Sequence, residues 1–216
     1  MSDLTDALDA LLAQHRRIGS PVPGYLRAGL PADNVAKRIS ASIGLDASPD
    51  VIALFAWHDG IDDAAWTRDG VGTGFARLFA DAYFAPLDDA LREYRERIEG
   101  DELTARYSTP GDAVETWRPS WFPVFQGWDT YGIECDQRRP DFGRVYDPAW
   151  DPPTGVYPAP RFRDLLHLVG SAIRRFEADG YWWDPAARFL DERREVLEPL
   201  YEREIAEAVA EPPPST

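Results

Sequence analysis

Sulfur and lysine are nearly missing from this sequence. Its 216 residues include one cysteine, one methionine and three histidines. A single Cys135 excludes an internal disulfide framework and any multi-cysteine metal site. Lys37 is the only lysine, so arginine supplies nearly all of the 23 basic residues. Such a skew follows from base composition, and it also suits bidentate pairing with carboxylates. Positive charge is scarce overall: 38 acids leave a net charge of −15. A polyanion would be repelled, so no nucleic-acid partner is expected. No apolar run approaches the roughly 20 residues of a membrane span, so no membrane partner is expected either. The opening residues carry Asp3, Asp6 and Asp9 and no basic stretch, which does not fit a secretory signal. With one cysteine, the expected compartment is the cytoplasm.

What is present argues for a folded chain. The hydrophobic fraction is 44%, with 8 Trp, 9 Tyr and 10 Phe, which excludes a wholly disordered polymer. The length fits one ordinary domain, or one domain with terminal additions. Surface scaling allows about 70% of the extended chain's area to be buried.

Periodicity predicts helices over 3–17, with Leu4, Leu8, Leu11 and Leu12 on one face, and over 33–43, with Val35, Ile39 and Ile43. Another is predicted over 49–57, where Pro49 suits a first turn. Two more fit 87–99 and 162–178. A last pattern runs 185–210, with Pro199 expected to kink or divide it. Residues 19–31 read as a linker, 59–76 as a loop, and 79–84, 121–126, 130–135 and 143–147 as strands. Residues 100–116 lack periodicity, and the proline-rich 148–160 reads as an ordered or semi-rigid loop. Helices on both sides of a strand cluster suggest an α+β domain with one sheet, with extra N- and C-terminal helices. The expected parts are an N-terminal helix and linker (1–28), a central domain (29–180) and a C-terminal helical extension with a frayed tail (181–216).

No constellation stands out as catalytic. His58-Asp59 invites acid–base chemistry, but His58 falls on an apolar helix face. His15 and His167 lack metal-ligand spacing to it. Asp59, Asp62, Asp63 and Asp69 do not match a twelve-residue calcium loop. Gly70-Val71-Gly72-Thr73-Gly74 has no following lysine and no strand-to-helix frame, so it is not a phosphate cradle. Cys135 lies between Glu134 and Asp136, which raise a thiol's pKa rather than activate it. No catalytic residue, metal or cofactor is expected.

Several segments occur in a telling order. A helix starts after Leu30-Pro31. A second ends in Leu54-Phe55-Ala56-Trp57-His58-Asp59-Gly60. Then come Phe84-Ala85-Pro86-Leu87-Asp88-Asp89-Ala90-Leu91 and Trp117-Arg118-Pro119-Ser120-Trp121-Phe122-Pro123. A strand over Tyr131 to Asp136, the stretch Gly143-Arg144-Val145-Tyr146 and the helix around Phe162, Leu165 and Leu166 close the set. This order resembles the SUKH superfamily, the Smi/Knr-like domain, over about residues 29–180. The long loop 61–78, the 148–160 segment and both terminal helices depart from it.

The resemblance implies an α+β fold with a single mainly antiparallel sheet flanked by helices, and a binding rather than a catalytic role. Bacterial members look like immunity proteins that neutralise toxins, and fungal members like signalling scaffolds. Charge points the same way. Residues 46–69 hold six acids against Arg68 alone, and 129–151 hold six against three arginines. Acids interleaved with aromatics suit a basic protein such as a toxin domain. The candidate contact residues are Asp59, Asp62, Asp63, Trp66, Asp69, Trp128, Asp129, Tyr131, Asp147, Trp150 and Asp151. Each acid also has a plainer role as a solvated surface charge. The leading expectation is an immunity protein that occludes a toxin's active site. The alternative is a regulatory or cell-wall-signalling scaffold of the same fold, and the third an unrecognised enzyme. Oligomeric state is open. The Trp182-Trp183 pair reads as the joint by which the last helix docks.

Overall fold

The leucine stripe of the first segment folds into α1 (Asp3–Arg17), with Leu8 and Leu11 wholly buried. The computed structural model describes residues 3–71, 76–79, 82–107, 117–127, 130–147 and 160–210. Helices α2 (Ala32–Ile43) and α3 (Pro49–Trp57) follow the predicted bounds within a residue. Gly44 closes α2 in the left-handed conformation at φ 71°. Helix α5 (Leu87–Tyr107) runs eight residues beyond the predicted end at 99. Helix α6 (Leu165–Glu177) opens on Asp164, whose carboxylate accepts the His167 N–H at 2.7 Å.

Three regions differ from the sequence reading. The 19–31 linker contains a 3-10 turn (Val22–Tyr25) and strand β1 (Leu26–Ala28). The loop 59–76 contains strand β2 (His58–Ile61) and the short helix α4 (Asp63–Arg68), capped by the Asp62 side chain. The last segment is not one helix. Strands β9 (Tyr181–Asp184) and β10 (Phe189–Glu192) form a hairpin, and α7 (Arg194–Ala210) begins after it. Pro199 falls inside α7, where the missing N–H removes a single backbone bond.

The sheet is also different from the expectation. The described strands form four small antiparallel sheets rather than one. Strands β5 (Trp121–Phe125), β6 (Tyr131–Glu134), β7 (Val145–Tyr146) and β8 (Pro160–Phe162) lie in that order as an antiparallel sheet. Strands β3 (Arg77–Phe79) and β4 (Ala82–Tyr83) pair, as do β1 with β2 and β9 with β10. Isolated bonds link the pieces. Tyr83 bridges Gln126 beside β5, and the Ile61 N–H donates to the Phe84 carbonyl at 2.8 Å. Strands two or three residues long cannot propagate a long ladder, so such single bonds join the described sheets.

One apolar core joins nearly all of this. It takes Leu8 and Leu11 from α1, Phe55 from α3, Phe122 and Phe125 from β5, Val169 and Phe176 from α6, and Leu197 from α7. Leu8 and Leu11 of α1 and Leu197 of α7 thus lie in the same core as Phe55 and Phe122. A satellite cluster of Trp117, Trp121 and Tyr146 lies beside it, with Trp121 stacked on Tyr146 at 4.2 Å.

Candidate functional site

The His58-Asp59-Gly60 step is locked onto the segment before α5. Asp59 Oδ1 accepts the Leu87 N–H at 2.9 Å and so caps α5 from another part of the chain. Its second oxygen pairs with Arg27 at 3.1 Å. Gly60 has φ 74°, and any Cβ there would run into the backbone of Ala85 and Pro86. His58 Nδ1 donates to the Arg27 carbonyl at 2.7 Å. Each residue of the step is thereby engaged in structure. Asp59 is buried, which takes it off the accessible surface.

Helix α4 carries the acids that stay near the surface. Asp62 Oδ1 accepts the Ala65 N–H at 2.9 Å. Asp69 is exposed and holds the Tyr25 hydroxyl at 3.2 Å and Arg68 at 3.2 Å. Asp63 is half-buried, and its Oδ1 finds no hydrogen-bond donor among the described residues. Burial raises the Asp63 pKa, and the carboxylates of Asp62 and Asp89 raise it further. The same acids, Asp63 and Asp89 foremost, add to burial in lifting the Tyr83 phenol. Asp62, Asp63 and Asp89 thus converge on one spot beside Tyr83. Asp89 was not read from the sequence as a contact residue. Its signal lay in the Leu-Asp-Asp start of α5, which folding brings against α4.

Two of the aromatic candidates, Trp66 and Tyr131, are buried. Trp66 is 2% exposed, wedged between Tyr25 at 5.3 Å and Trp183 at 5.9 Å. It is a core residue because α4 turns its apolar side inward. Tyr131 and Asp147 are buried too, and Asp147 pairs with Arg161. A charge enclosed with its counter-ion is a structural element, not a surface on offer. Trp128, Asp129, Trp150 and Asp151 lie outside the described residues.

Cys135 and His15 are buried. Cys135 is buried and its thiol is pushed up to about 12 by that burial, so it is no nucleophile at neutral pH. His15 is buried between Ser20 and the Leu78 carbonyl. Among the described residues, no group of three or more His, Cys, Asp or Glu could hold a metal ion. No described helix is long and apolar enough to cross a membrane. In comparisons with known proteins, no family model and no curated protein matches the chain.

Proposed function

We propose that this chain is a non-catalytic protein-binding domain of the SUKH type, an immunity protein that covers the active cleft of a basic toxin. The observation that carries the reading is the convergence of Asp62, Asp63 and Asp89, with Asp63 Oδ1 lacking a donor. Asp89 already pairs with Arg92 at 2.7 Å, so it is Asp62 and Asp63 that have no described ion-pair partner, and a guanidinium or ammonium from outside would relieve them. The net charge of −15 steers such a partner inward and keeps nucleic acid away. A toxin cleft that normally grips an anionic substrate presents the cationic groups this surface would engage.

The scaffold alternative drew on the added terminal helices, which can serve dimerisation or docking. Leu8, Leu11 and Leu197 of those helices are core residues.

The test is capture followed by an activity assay. The tagged full chain should retain a basic protein from host lysate at near-equal stoichiometry, and release it as salt rises. The captured protein's toxic activity should vanish in the complex and return on release. The triple charge reversal Asp62→Arg, Asp63→Arg and Asp89→Arg should abolish capture. Capture untouched by that change, or a partner whose activity survives, would sink the reading.

A further inference from the structure

The β9–β10 hairpin splits the Trp182-Trp183 pair between two faces. Its antiparallel register sets Leu190 opposite Trp183 and Glu192 opposite Tyr181 on one face. Asp191 opposite Trp182, and Phe189 opposite Asp184, then share the other. The first face is turned inward. Tyr181 and Leu190 are buried, and Trp183 meets Trp66 edge-on. On the second face Trp182, Asp184, Phe189 and Asp191 are all partly exposed. Neither Trp182 nor Phe189 is among the side chains packed on the core or its satellite.

That face is a small checkerboard. Two aromatic rings lie on one diagonal and two carboxylates on the other. Asp184 Oδ1 accepts the N–H groups of Ala186 and Ala187, and Asp191 Oδ1 accepts that of Glu192. No described arginine pairs with either carboxylate, so both stay available to a cation. The hairpin is held in place by Trp183 on Trp66 and by the Arg188 guanidinium on the Gly70 carbonyl. Both ties fix the hairpin against α4 and the residues that follow it.

We propose that the outward face of the β9–β10 hairpin docks an arginine-bearing segment of a basic protein, with Trp182 as the aromatic anchor. A guanidinium is planar. It stacks on the indole face while its N–H groups reach the carboxylate beside the ring. Trp182 directly opposite Asp191 supplies both halves of that contact. Arginine and tryptophan also dominate binding energy in protein interfaces. The acids beside the rings repel phosphate, which selects a basic protein over a nucleic acid. This inference rests on the function proposed above and names an anchor for it.

The test titrates the full-length ¹⁵N-labelled chain with an octa-arginine peptide at low salt, with octa-lysine as comparison. The Trp182 indole N–H signal, assigned through Trp182→Phe, should move most. Octa-lysine should bind less tightly, because an ammonium cannot stack. Trp182→Ala should weaken octa-arginine binding about tenfold. Asp191→Asn, which keeps the indole, should weaken it several-fold. Binding that shifts Asp62, Asp63 and Asp69 while Trp182→Ala leaves affinity unchanged would overturn the hairpin anchor and leave the acidic-surface reading standing. No binding of either peptide at low salt would overturn both.

Discussion

Asp59 Oδ1 accepts the backbone N–H of Leu87 at 2.9 Å, which fastens β2 to the start of α5. The contact gives a structural reason for the pairing of two sequence segments. The carboxylate meets the positive end of a helix, Gly60 lets the two backbones touch, and Ile61 bonds Phe84 alongside. Asp59→Ala should therefore cost about 2 kcal/mol, because it removes a cap and leaves Arg27 unpaired. Asp59→Asn keeps an acceptor and should cost about half as much. Urea unfolding measures both, and an Asp59→Ala chain as stable as the parent would refute the cap.

His15 predicts a stability that falls in acid. Burial lowers its pKa from 6.5 to about 4. The Leu78 carbonyl accepts from Nε2 at 2.6 Å, so Nδ1 accepts from the Ser20 hydroxyl at 3.0 Å. A histidine that stays neutral when folded binds fewer protons than its unfolded counterpart between these values. Stability is then complete above pH 6.5 and falls as pH drops toward 4. The difference corresponds to about 3 kcal/mol. Asp50 and Asp63, both raised chiefly by burial, act in the opposite sense at lower pH. An NMR titration should show the His15 ring unchanged down to about pH 5, and a midpoint near 6.5 would refute the assignment.

Glu204 predicts how α7 is held. It takes the Ser171 hydroxyl and the buried Arg175, whose guanidinium also lies 4.2 Å from the Tyr201 ring. Glu204→Ala leaves that guanidinium buried without its carboxylate, at a cost of about 3 kcal/mol. Adding Arg175→Met removes the stranded charge and should recover most of the loss. A double variant no better than Glu204→Ala, measured by denaturant midpoint, would contradict the assignment.

Asp179 predicts a gain. It follows α6 with φ 57°, a conformation that suits glycine. Its only described ion pair is with Arg17 at 2.9 Å, and both partners are well exposed. Asp179→Gly should stabilise by about 0.5 kcal/mol, since the relieved backbone outweighs a surface pair. A fall in thermal midpoint would show that the pair matters more than the backbone.

The helices were the most legible part of the sequence. The leucines of α1, Pro49 at the start of α3 and Gly44 after α2 are local signals, because helical bonds span four residues. The strand β2 in a supposed loop, and the β9–β10 hairpin, whose second strand falls inside a supposed helix, were not legible. Polar His58-Asp59-Gly60 carries no alternation, and Leu190 and Leu197 are seven apart, a spacing that also fits a helix. The candidate site was legible as an acidic segment. Which of its members face solvent was not.

The sequence by itself determined the charge, the scarcity of sulfur, the class of mixed helix and strand, and the bounds of most helices. Each follows from composition or from contacts within a turn of chain. Only the tertiary structure decided that Asp59 caps a helix, that Trp66 is core, that Asp89 joins Asp62 and Asp63, and that Trp182 and Trp183 face opposite ways. Those outcomes depend on which distant segments meet, and burial is a property of the meeting rather than of the residue.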